Sequence, residues 1–358
     1  MTLTARSAAC LVAATMLLAG CGGDDLKNCG ALRASAPDKA FAHCNAALEN
    51  RLVFGERRAG ALLGRGTLFH DRREWDRAID DLGEAIQSGK LSERNLMIAH
   101  YNRGTVHLRQ QQMDLALADL DEAIKRDPAY IDALVNRAVA RREKGNLPGS
   151  LADAEAALKL DPNYPKALVQ RGATYVAMQE FGKALEDFDA AAKVAPDLAA
   201  GRYLRGLMLS RKGDAEGALA EYSAALRVEP ANLDALLRRA AIYEGKKDWD
   251  RAIADLDAAE KLSPKHFPVF YGRSLMRGRK GDLDGALADV EKAIAINPKP
   301  AEPYNTRGWL KMQKKDLDGA LADFDQALSL NPKLLLARGN SDRFTLRALA
   351  RIEQWAPA

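Results

Sequence analysis

The sequence predicts an all-α chain of helical hairpins stacked in tandem into an α-α superhelix. Prolines fall at 128, 162, 196, 230, 264, 298 and 332, each thirty-four residues after the last. Small residues at 104, 138, 172, 206, 240, 274 and 308 keep that step, and so do alanines at 123, 157, 191, 225, 259, 293 and 327. Three columns in phase over seven copies mark a repeat architecture before any local propensity is consulted.

Each unit carries two amphipathic stretches. Leu168, Gly172 and Tyr175 lie at i, i+4, i+7, and Ala184, Phe188 and Ala191 repeat the spacing. The turn between them often holds glycine and aspartate, as in "KGD" at 212–214 and "RKGD" at 279–282. The second helix must end before the proline, whose ring denies the preceding residue the α conformation. The repeats are 97–130, 131–164, 165–198, 199–232, 233–266, 267–300 and 301–334. An eighth copy, 59–96, fits at Gly66, Ala78, Leu82 and Ala85, but has Lys90 in place of the proline. Upstream, Ala40, Cys44 and Ala47 mimic Ala78, Leu82 and Ala85, which predicts a lone capping helix within 21–58. Downstream, in 335–358, Ser341 can cap a final helix with Phe344, Ala348, Ile352 and Trp355 on one stripe. Such helices cover the faces that the end repeats of a solenoid expose.

The first twenty residues read as an export signal. Arg6 precedes thirteen nearly unbroken apolar residues, 8–20. That length suits a signal-peptide core, whereas a bilayer span needs about 20 residues. The run ends in "LAGC", residues 18–21, which resembles the lipobox of bacterial lipoproteins. The resemblance implies acylation of Cys21 and a lipid membrane as partner, and Gly22 after the cysteine favours an outer-membrane location facing the periplasm. Cys10 then leaves with the signal. Cys29 and Cys44 remain as an even pair in a compartment where disulfides persist, and a bridge between them is expected over two free thiols.

Arg65, Arg103, Arg137, Arg171, Arg205, Arg239, Arg273 and Arg307 share one slot. An acid follows sixteen residues later each time: Asp81, Asp119, Asp153, Asp187, Glu221, Asp255, Asp289 and Asp323. The matched rows predict a ladder of ion pairs, in which guanidinium forks fix the register between helices. The other reading is a row of arginines that binds an acidic ligand. Spacing leaves open whether each arginine takes the acid of its own repeat or of a neighbour.

No catalytic residue, metal site or cofactor is expected. The five histidines (43, 70, 100, 107, 266) have no metal or triad spacing, and no glycine-rich phosphate loop occurs. "DLDG" at 282–285 and 316–319 places its glycine too early for a calcium loop and reads as an inter-helix turn. The net charge of +4 comes from interleaved Lys, Arg, Asp and Glu, without the polybasic patch that nucleic acid requires.

The units closely resemble tetratricopeptide repeats, with a small residue in the first helix, two alanine-like positions in the second, and a closing proline. The resemblance implies a right-handed solenoid whose first helices line a concave face that binds a protein or peptide. The implied lining is Tyr101, Thr105, Val135, Val139, Val169, Ala173, Tyr203, Leu207, Leu237, Tyr271, Leu275 and Trp309. It is apolar and aromatic, as a peptide groove would be, or as a surface buried against the next repeat would be. Members that clamp acidic C-termini use lysine and asparagine there. Only Asn136 and Lys166 suit those slots. The expectation is a non-enzymatic scaffold in the cell envelope. The alternatives are a self-associating architectural protein and a holder of unfolded clients.

Overall fold

The computed structural model describes residues 23–332, and all eighteen regular elements among them are α-helices. Contacts divide the chain into two compact units, one ending at Val194 and the other beginning at Ala195. The first holds five hairpins: α1 (Gly23–Ala31) with α2 (Pro37–Glu49), α3 (Glu56–Asp71) with α4 (Trp75–Gln87), α5 (Glu93–Arg109) with α6 (Met113–Arg126), α7 (Ile131–Glu143) with α8 (Leu147–Leu160), and α9 (Pro165–Ala177) with α10 (Phe181–Val194). The second holds four: α11 (Ala199–Arg211) with α12 (Ala215–Val228), α13 (Leu233–Gly245) with α14 (Trp249–Leu262), α15 (Phe267–Lys280) with α16 (Leu283–Ile296), and α17 (Glu302–Gln313) with α18 (Leu317–Leu330). Within each unit, successive hairpins pack second helix to first helix, as α6 does on α7 and α14 on α15.

The prolines stand at equivalent corners. Helices α6, α8, α12, α14, α16 and α18 each end two residues before one, and the residue between is extended, as at Asp127 (φ −137°, ψ 93°) and Asn297 (φ −142°, ψ 101°). Between the helices of each array hairpin, one residue has a left-handed backbone: Arg73, Gln111, Gly145, Gln179, Gly213, Lys247, Gly281 and Lys315. Only three of these are glycine. The chain reversal is therefore imposed by the packed helices as well as by the turn residue. Asn146, Asp214, Asp248, Asp282 and Asp316 then cap the second helices by accepting a backbone N–H three residues on. In both "DLDG" stretches, the first aspartate caps a helix.

The alanine column is buried throughout. The small-residue column shows size compensation against the residue sixteen positions later. A Cβ on Gly172 would come within 2.6 Å of the Phe188 ring, on Gly308 within 2.7 Å of Phe324, and on Gly206 within 2.9 Å of Tyr222. Ala138, by contrast, has Ala154 at the matching position, and Ser274 has Val290. Glycine thus admits a large side chain where the helices cross.

The structure has two helices, α1 and α2, where the sequence analysis expects one ahead of the array. Helix α1 lacks the repeat signature. It is held by a Cys29–Cys44 disulfide with Cα atoms 4.8 Å apart, and by packing on α2 and α3. Cys21 and the expected C-terminal helix lie outside the described residues. Among the described residues, no helix is long and apolar enough to cross a membrane.

Candidate functional site

Every arginine of the shared slot pairs with the acid of its own hairpin, and Arg65, Arg137, Arg239 and Arg273 also reach the preceding one. Arg171 donates from Nε to Asp187 Oδ2 (2.9 Å) and from Nη2 to Oδ1 (2.6 Å), within its own hairpin. The same fork joins Arg65, Arg103, Arg137, Arg239, Arg273 and Arg307 to their acids. Arg205 reaches the longer Glu221 through Nη1 at 2.5 Å, and Arg202 shares that carboxylate. The remaining Nη1 reaches back to the preceding hairpin: Arg137 to Asp121 (2.7 Å), Arg239 to Ser223 (2.9 Å), and Arg273 to Asp257 (2.6 Å). In these three the slot acid lies sixteen residues ahead and a residue outside that slot lies sixteen behind, so the choice left open by the spacing resolves as the acid of the arginine's own repeat. Hydrogen bonding to Asp187 holds the Arg171 guanidinium above its ordinary pKa, against the opposing effect of burial. Arginines occupied in this way are committed to the chain itself rather than to an acidic ligand.

A second row of rungs was missed by the sequence reading. Lys144 pairs with Asp114, Lys246 with Glu216, Lys280 with Asp250 and Lys314 with Asp284. Each links the C-terminal end of a first helix to the first turn of the preceding second helix, where both charges complement the helix dipoles. The signal was present, since these lysines and acids also keep the repeat step, but a pairing thirty residues backwards skips a helix and is invisible to a hairpin-by-hairpin reading.

The expected lining residues divide by environment. Val135 is buried in a cluster with Leu134, Leu158 and Leu168, so it belongs to the core and is withdrawn from the lining. Tyr101, Thr105, Val139, Val169, Ala173, Tyr203, Leu207, Leu237, Tyr271 and Leu275 are half-buried, and Trp309 is exposed. The half-burial arises because first helices also meet one another. Asn136 Nδ2 donates to Thr105 Oγ1 at 3.0 Å, and Asn102 Nδ2 to Thr67 Oγ1 at 3.0 Å, each across adjacent hairpins. Lys166, the other residue suited to an acid clamp, pairs with Asp132 at 3.2 Å. In the first unit the surface opens into a cavity of about 570 Å³, lined by Thr105, Leu108, Arg109, Gln111, Met113, Asn136, Val139 and Glu143.

His100 and His107, scattered in the sequence reading, converge on Asp119. Its carboxylate meets His100 Nδ1 at 2.8 Å, the Arg103 fork at 2.7–2.8 Å, and His107 Nε2 at 3.8 Å. Burial pushes Asp119 up, but hydrogen bonds from Arg103 and His100 outweigh it and hold the carboxyl below its usual value. The two histidines lie seven residues apart on α5. That is a helical repeat, but nothing in it pointed to an acid on the next helix.

Tandem hairpins with small residues at the helix crossings define a class of α-helical repeat proteins. The tetratricopeptide repeat model matches residues 101–165, 169–227 and 209–267, and a second tetratricopeptide repeat model matches 301–334. The chain belongs to the tetratricopeptide repeat family. Proteins of this family bind protein or peptide partners and are generally non-catalytic scaffolds. Among solved structures, PilF of Pseudomonas aeruginosa is 15% identical, with a TM-score of 0.54 over 62% of this chain and 99% of that one. A tetratricopeptide repeat protein from Parabacteroides merdae is 21% identical, with a TM-score of 0.44 over 72% of this chain and 99% of that one. MamA from Desulfovibrio magneticus is 19% identical, with a TM-score of 0.45 over 48% of this chain and 96% of that one. Comparison with curated proteins gives no match.

Proposed function

We propose that the protein is an exported scaffold, anchored by acyl chains on Cys21 to the outer membrane and facing the periplasm, that holds a segment of a protein partner against its first helices. The observation that carries the binding reading is the cavity between α5 and α7. There, apolar Leu108, Met113 and Val139 stand beside hydrogen-bonding Thr105 and Asn136 and the charged Arg109 and Glu143. An apolar surface with a few placed polar groups suits an extended peptide, whose backbone needs partners and whose side chains need pockets. Export is supported by the signal-like first twenty residues and by the Cys29–Cys44 bridge, a bond that persists in oxidising compartments.

Photo-crosslinking amino acids at Thr105 and Val139 in intact cells test the reading. A discrete adduct with another protein is expected, and it should be lost when Val139→Asp accompanies the probe at Thr105. An adduct that survives Val139→Asp refutes the cavity as the binding site. An adduct of twice the chain's mass favours the self-associating architectural protein instead. Cys21→Ser should move the protein from the membrane to the soluble fraction.

A further inference from the structure

The turn between α2 and α3 presents the most exposed apolar side chains in the described chain. Leu52 is 66% exposed and Phe54 is 75%, whereas no other large apolar residue exceeds 52%. Four of the others, Leu160, Val228, Leu262 and Leu330, recur at the ends of second helices, but these two flank a buried residue. Val53 is 4% exposed and points inward. The turn is built to hold this alternation: the Asn50 side chain accepts from Leu52 N–H (2.9 Å), the Asn50 carbonyl accepts from Val53 N–H (2.9 Å), and Gly55 follows with a left-handed backbone (φ 57°). Arg58 ties the far side to the end of α2 by donating to the Leu48 carbonyl at 3.1 Å. An apolar pair fixed outward by hydrogen bonds is not an accident of a loose loop.

The place of this turn matters as much as its exposure. Helices α1 and α2 form a hairpin, and the Cys29–Cys44 bridge sets its register. Six residues back from Cys29 is Gly23, and five on from Cys44 is Glu49. At 1.5 Å per residue these climb roughly 9 Å and 7–8 Å in the same direction, so the start of α1 and the Leu52–Phe54 turn share one end of the hairpin. Cys21 precedes Gly23 by two residues, a reach of about 7 Å at most. Beside the turn stand Glu49 and Arg51 on one side and Glu56, Arg57 and Arg58 on the other, and with Arg58 paired to Glu84 at 3.4 Å these charges select neither an anionic nor a cationic protein surface.

From this placement we infer that Leu52 and Phe54 form a membrane-contacting wedge, which enters the interfacial region of the bilayer beside the acylated Cys21. The inference rests on the anchoring proposed above. Acyl chains on Cys21 secure attachment but leave orientation open, and an apolar contact with the bilayer at the same end fixes it. An anchor without a wedge would leave the hairpins free to tumble on a tether. With it, the first hairpin stands against the bilayer.

The test uses the full acylated protein with Phe54→Trp, on vesicles of phosphatidylethanolamine and phosphatidylglycerol (3:1) carrying brominated acyl chains. The wild-type signal is subtracted to remove the native tryptophans. Tryptophan at 54 is expected to emit further to the blue on vesicles and to lose more than half its intensity to bromine. Bound, acylated protein with unshifted and unquenched emission at position 54 overturns the wedge while leaving the anchor intact. The mass of the mature chain reports the anchor separately. If Cys21 is unmodified, the anchoring reading fails, and the same quenching measured at high lipid decides the wedge by itself. Protection of position 54 in native envelopes but not on protein-free vesicles also overturns it, and assigns the turn to a protein surface. Melting temperatures equal to wild type verify that Phe54→Trp is folded.

Discussion

Arg171→Ala tests whether the arginine ladder holds the hairpins together. The guanidinium grips Asp187 through two hydrogen bonds, and the Asp187 side chain is only 6% exposed, against 31% for Asp132, the partner of Lys166. Removing one partner of a buried pair costs about 3–5 kcal/mol, because it strands the other charge. The loss from Arg171→Ala should therefore be about 3–5 kcal/mol. Lys166→Ala should cost about 0–1 kcal/mol. The double change Arg171→Met with Asp187→Leu should recover most of the loss, since it strands nothing. Urea unfolding followed by circular dichroism reads the three variants against wild type. Equal losses for Arg171→Ala and Lys166→Ala would show that the ladder is solvated decoration, and a double variant no more stable than Arg171→Ala would show that packing of the arginine stem, and not charge, carries the effect.

Gly172→Ala and Gly213→Ala separate two uses of glycine. The first pushes a methyl into the Phe188 ring and should cost about 1–3 kcal/mol by overpacking, relieved by Phe188→Leu. The second meets no atom within 4 Å but sits at φ 89°, so it should cost about 1–2 kcal/mol from the backbone alone and gain nothing from a second substitution. Cys44→Ser should lower stability by roughly 3 kcal/mol in the chain-entropy model for a fifteen-residue loop, and protease should then cut first within α1. Asp119 has a carboxyl held below its usual value, so its contribution is present above the unfolded pKa and is lost as pH falls through the lower, folded one. The stability gap between wild type and Asp119→Asn should accordingly narrow below about pH 4 and stay open between pH 5 and 7. A gap that widens on acidification would refute the assigned direction.

The repeat step, the helix pairs, their ends at Pro128 through Pro332 and the pairing slots of arginine and acid were all legible in the sequence. They are consequences of period, and period survives in one dimension: a residue that must meet the same neighbour in every copy has to recur at the same step. What the sequence could not carry was direction in space. Only the packed hairpins decide that the arginines take the acids of their own repeats, and that Arg137, Arg239 and Arg273 also reach back through Nη1 to the previous hairpin, because both partners lie sixteen residues away on opposite sides. Only they bury Val135 while leaving Val139 at a cavity wall, since one helical turn is enough to carry a side chain from a neighbour's core to its surface. The convergence of His100 and His107 on Asp119, and the outward set of Leu52 and Phe54 around an inward Val53, break the repeat, and a reading built on recurrence passes over them. Recurrence reports what every hairpin needs in order to stack. The features particular to this protein lie where single residues depart from it, and tertiary packing alone gives those departures a place.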